Sequence, residues 1–136
     1  MMLSMSPLSS DLAAPLLAPA LGEGRDTTGG LMTIKELLAG AQCFEVIDET
    51  GRSVGSYAVE VFTHDGGNEA VVVAAVGAMP GVDLTASVLP GVEQQARGAG
   101  CAAVTIHTRR RGLLAKLKAA GYRCDGFIMR KTINGR

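Results

Sequence analysis

The chain predicts an α/β fold of the α+β type: a mixed, mainly antiparallel sheet flanked by helices, with an extended arm at the N-terminus. Three observations carry this expectation. Beyond Ala41, apolar and polar residues alternate in runs separated by short glycine-containing turns, the mark of an antiparallel meander. From Asp83 the period changes, and Leu84, Val88, Val92 and Ala96 recur at the fourfold spacing of a helix face. Before Leu31, Pro7, Pro15 and Pro19 interrupt every run, and "TTGG" closes the stretch. A chain of 136 residues, 47% of them apolar, suits one domain with a real core.

Residues 1–30 read as the arm, and residues 31–136 as the compact domain. The arm's prolines forbid a continuous helix, so its leucines Leu8, Leu12, Leu16, Leu17 and Leu21 are expected to dock on another chain. The domain opens with "TIKELLAG", where Thr33 and Glu36 stand at capping-box spacing and Gly40 closes a short helix. "QCFEVID", the turn "ETGR", "SVGSYAVEVF", the turn "THDGGN" and "EAVVVAAVGAM" supply three strands. Asp83 is the expected N-cap of the long helix, which Pro90 should kink or divide. "CAAVTIHT" reads as a buried strand and "RRGLLAKLKAAG" as a helix with Leu113, Leu114, Leu117 and Ala120 inward. "YRCDGFIMRKTI" reads as a final strand, with a bulge or bend at Gly126.

Charge is unevenly placed. Residues 1–100 hold 4 Lys/Arg against 12 Asp/Glu, and residues 101–136 hold 9 against 1, so the last quarter is basic on an acidic molecule. Cys43, Cys101 and Cys124 form no CxxC pair and the two histidines lie far apart, so no metal site is expected and the thiols read as buried and reduced. Cys101 and Cys124 could meet across neighbouring strands. Pro15 and Pro19 break the apolar patch "LAAPLLAPALG", no basic residue precedes it, and the expected compartment is the cytoplasm. "TRRRG" is the sharpest polar feature: Arg109, Arg110 and Arg111 at a helix start oppose its dipole, which suits an anionic partner. His64 sits beside a turn. His107 could face one side of the sheet as a base, although a hydrogen-bonded structural histidine is the commoner case.

Three stretches together resemble the GNAT family of N-acetyltransferases. "FEVIDETGRSVGSYAVEV" is similar to that family's hairpin, "EQQARGAGCAAVTIHT" to its helix and following strand, and "LLAKLKAAGYRCDGFIMRK" to its closing helix, turn and last strand. The resemblance spans roughly residues 31–133 and implies the family's sheet and an acetyl-coenzyme A site. "QARGAG", Gln95 to Gly100, fits the family's pyrophosphate-loop pattern Gln/Arg-x-x-Gly-x-Gly/Ala, but it falls at the end of a helix, where free carbonyls repel phosphate. The connection that should carry the loop, "AVGAMPGVDLT", lacks the pattern. The tyrosine that many family members place four residues before the closing glycine is Leu117 here. The asparagine that often follows the strand before the closing helix is replaced by "TRRR".

These departures lead to an expectation of no catalytic residue and no cofactor. The chain is then a non-catalytic GNAT-like subunit of a larger assembly, similar to short proteins encoded among bacteriophage structural genes, tethered in the virion by its arm. The alternative is an acetyl-coenzyme-A-dependent N-acetyltransferase whose divergent loop, Gly77–Asp83, holds the cofactor by backbone groups. A weaker alternative is a nucleic-acid-associated protein using the basic last quarter.

Overall fold

The computed structural model describes residues 2–78 and 83–134. Its first strand, β1 (Ser4–Leu8), is followed by helix α1 (Ser10–Leu17), a 3-10 turn (Ala18–Leu21) and the short helix α2 (Ile34–Leu38). Strands β2 (Gln42–Ile47), β3 (Ser53–His64) and β4 (Gly67–Gly77) form the expected meander. Helix α3 (Leu84–Gly98), strand β5 (Cys101–Ile106) and helix α4 (Arg111–Ala119) complete the regular structure. The sheet runs β1-β2-β3-β4-β5, antiparallel except for the parallel β4–β5 pair that α3 connects. The expected class holds: a mixed, mostly antiparallel sheet flanked by helices.

The extended arm is corrected. Residues 4–8 pair with β2, from Ser4 opposite Ile47 to Leu8 opposite Cys43. Pro7 is tolerated because β1 is an edge strand, where one missing N–H costs no ladder bond on the open side. The Ser9 hydroxyl then accepts from the Leu12 N–H at 3.3 Å and starts α1. Pro15 lies inside that helix and Pro19 is the second residue of the 3-10 turn. Tertiary burial outweighs the local penalty, since Ala13 and Leu17 are 0% exposed. Leu17 packs with Leu38, Cys43, Ala58 and Ala74 on one face of the sheet. Burying one such leucine contributes roughly 1.5–3 kcal/mol.

The opposite face is covered by α3, whose Val92 packs with Val46, Val54, Tyr57 and Val72. The α2 capping box forms as expected: the Thr33 hydroxyl accepts from Glu36 N–H, and Glu36 accepts from Thr33 N–H at 3.1 Å. Asp83 caps α3, accepting from the Ala86 N–H at 3.2 Å. Pro90 does not divide α3, which remains one helix: Pro90 itself is exposed while Leu89 and Val92 beside it are buried.

Two further expectations fail. β5 is an edge strand, with Ala102 and Ala103 exposed, rather than a buried one. The final strand is absent: residues 122–133 have no regular structure, and Phe127 and Met129 are 89% and 90% exposed. The bulge expected at Gly126 goes with it, and Cys124 lies exposed on this segment instead of facing Cys101 across a ladder. Among the described residues no helix is long and apolar enough to cross a membrane.

Candidate active site

The site is built by a slip in strand register. Ala58 pairs with Ala74 while Val59 pairs with Val72, so Val73 is an extra residue, a β-bulge in β4. On the other side, pairing of β4 with β5 ends at Val72 opposite Ile106. Val73 therefore has no partner in either ladder, and from there to Gly77 the β5-facing edge of β4 is open. The two strands part around a cleft of about 80 Å³. Val73, Ala74 and Ala75 form one wall and Ile106, His107 and Thr108 the other. Arg25, Thr27 and Thr28, from the loop after the 3-10 turn, and Arg110, before α4, line the cleft as well.

His107 follows β5 directly, just beyond the strand in which it was expected, and is exposed. Of the side chains lining the cleft, it is the one whose type exchanges protons near neutral pH. Glu69 lies near it on the sheet, held below the usual carboxylate range first by the Thr105 hydroxyl that donates to it. The bond to His64 at 3.0 Å and the nearby charge of His107 add to this. Asp26 shapes the loop at the mouth: its carboxylate accepts from the Thr28 N–H and hydroxyl, both at 2.7 Å, and from the Gly30 N–H at 3.0 Å. Those bonds, led by the Thr28 hydroxyl, lower its pKa.

Neither tyrosine serves the cleft. The Tyr57 phenol donates to Gln95 at 2.6 Å and the Tyr122 phenol to Glu93 at 2.8 Å, and burial raises both pKa values, Tyr57's to about 12. Leu117 is a core residue, 5% exposed. "QARGAG" lies at the C-terminal end of α3, where Ala99 is the C-cap and Gly100 takes a φ of +77°. Of the loop proposed to hold a cofactor, residues 79–82 lie outside the described residues. Its end, Asp83, is within 3.7 Å of the Lys116 ammonium, which offsets the carboxylate at the start of α3.

The expected partner residues separate. Leu17 is core, Leu8 packs against the same cluster, Leu21 lines the cleft, and Leu12 and Leu16 are exposed. Arg109 donates to the Asp26 carbonyl at 3.1 Å, Arg110 lines the cleft, and Arg111 begins α4. The Val73 bulge was missed because the run "VVVAAV" carries no residue that marks it.

No protein-family model matches the chain, and no curated protein does. Solved structures do match over nearly its whole length. An acetyltransferase of Trypanosoma brucei shares 22% identity at a TM-score of 0.63, covering 97% of this chain and 100% of that one. A ribosomal-protein-alanine N-acetyltransferase from Brucella melitensis shares 15% at 0.68, covering 96% and 100%. Glucosamine-6-phosphate N-acetyltransferase from Arabidopsis thaliana shares 15% at 0.64, covering 98% and 100%. The architecture is that of the GNAT fold. This overturns the expectation of a non-catalytic, cofactor-free virion subunit. The fold found is the one acetyltransferases use over their full length, and the stretch read as a tether is its first strand and helix.

Proposed function

We propose that the chain is an acetyl-coenzyme-A-dependent N-acetyltransferase acting on a primary amine. One observation carries the reading: the bulge at Val73 coincides with the end of β4–β5 pairing, so unpaired main-chain groups and an imidazole face one cleft. The acetyltransferases among the similar structures support it.

The residues present fit the cofactor. The open β4 edge from Val73 to Ala75 offers main-chain groups to an acyl thioester, and Lys116 on α4 offsets the Asp83 carboxylate at the start of α3, the helix end that favours a pyrophosphate. Acetyl-coenzyme A supplies an activated acetyl group. Fixed N–H donors on the β4 edge stabilise negative charge as it develops on a carbonyl oxygen, without reorganising. His107 takes the proton that the attacking amine must lose. Val73 to Ala75 and Ile106 give the transfer apolar walls on two sides.

Calorimetry with acetyl-coenzyme A tests the reading. A dissociation constant at or below about 100 μM, roughly −5.5 kcal/mol, together with thiol release in the presence of amines, is expected. No heat at millimolar cofactor would overturn it.

A further inference from the structure

We propose that the acceptor is a small primary amine that also carries a phosphate or carboxylate, held at the cleft mouth by Arg25 and Arg110. This rests on the acetyltransferase reading and adds to it the charge of the substrate.

The charged side chains lining the cleft are Arg25 and Arg110, and no acidic residue is among the lining residues described. Two more guanidinium groups reach the same loop from distant parts of the chain. Arg109 donates to the Asp26 carbonyl at 3.1 Å and Arg130 to the Thr27 carbonyl at 3.2 Å. Among the described residues none of these four arginines has a carboxylate within 4.0 Å. Asp26 acts on Arg109 through space, but its oxygens bond Thr28 and Gly30 rather than a guanidinium.

Helix α4, nine residues long, starts at the same place with no side-chain cap, leaving its first N–H groups to another acceptor. Converging guanidinium groups and an uncapped helix start repel each other's charge until an anion sits between them. Arginine's planar fork of donors then suits the oxygens of phosphate or carboxylate. The same field disfavours a polycationic amine. The cleft, about 80 Å³, receives the amine-bearing end of the acceptor while its anion stays at the mouth.

The test compares four acceptors of graded charge: O-phosphoethanolamine, β-alanine, ethanolamine and spermidine. Binding of each is measured calorimetrically, and thiol release is followed with saturating acetyl-coenzyme A. The phosphate or the carboxylate compound, or both, should bind and turn over at least about tenfold better than ethanolamine, with spermidine worst; which of the two leads identifies the anion. The double variant Arg25→Gln/Arg110→Gln should narrow that preference at least about tenfold while keeping its melting temperature. Equal or better binding of ethanolamine or spermidine overturns the proposal, as does a preference that survives the double variant. If acetyl-coenzyme A itself fails to bind, the acetyltransferase reading falls, while the calorimetric ranking of the amines still decides the charge preference.

Discussion

Gly55 and Gly77 face one another across β3 and β4, where a β-carbon would be crowded at Gly55 and has no room at Gly77. One on Gly77 would lie 3.0 Å from the Gly55 Cα, 2.9 Å from the Val54 carbonyl oxygen and 2.7 Å from a methyl of Leu84. The first two are backbone atoms and cannot swing aside. Gly77→Ala should therefore destabilise the fold by about 1–3 kcal/mol, read from urea denaturation. A change below about 0.5 kcal/mol, the range of neutral surface substitutions, would show that β4 can shift without cost.

Leu17→Ala should cost about 2–5 kcal/mol, because a fully buried side chain leaves a cavity between α1 and the sheet. Deleting residues 1–28 removes β1 and α1 together, uncovering one sheet face and the β2 edge. Cooperative melting should be lost. A truncated protein that melts like the full chain would return this stretch to the status of an appendage.

Alkaline pH should weaken the fold through two tyrosines. Burial raises the Tyr57 phenol to about 12, and burial together with the Glu93 carboxylate raises Tyr122 as well. A raised folded pKa means that the native state holds its proton more tightly than the unfolded chain. The resulting stability is fully present below the unfolded value, about 10, and is lost as pH rises through the folded one. Melting temperature should fall from about pH 10 upward, and Tyr57→Phe with Tyr122→Phe should flatten that slope. An equally steep slope in the double variant would assign it to other groups.

His107→Gln should lower kcat by about 10²–10⁴-fold and leave the acetyl-coenzyme A dissociation constant within about twofold, equivalent to roughly 0.4 kcal/mol. A kcat retained within about twofold in the variant would move the base elsewhere, with Glu69 the next to test.

What the sequence made legible was whatever is written locally. The meander between Gln42 and Gly77 shows in its alternation, and the starts of α2 and α3 show in Thr33, Glu36 and Asp83, whose side chains bond within three residues. The β1–α1 unit was hidden because its evidence is non-local: three prolines argue against it, while Leu17's partners, Leu38 to Ala74, lie far along the chain. Loop and side-chain letters suggested an inactive site. The cleft, however, is made largely of backbone released by a register slip, which no residue type announces. His107 could be named but not placed, since one residue decides whether it lies in β5 or just beyond it. The tail "FIMRKTI" has strand composition, yet a strand requires a partner, and its own chain supplies none among the described residues.

The order of strands across the sheet is also their order along the chain. As the polypeptide leaves the ribosome, N-terminus first, every strand after β1 emerges beside a neighbour that already exists. Three of the four pairings close through intervening stretches without a crossover, and only β5 must wait for a whole helix before it can dock parallel to β4. Synthesis and assembly can thus advance together, with the cleft the last part to take shape, because it opens only where the final strand parts from its neighbour.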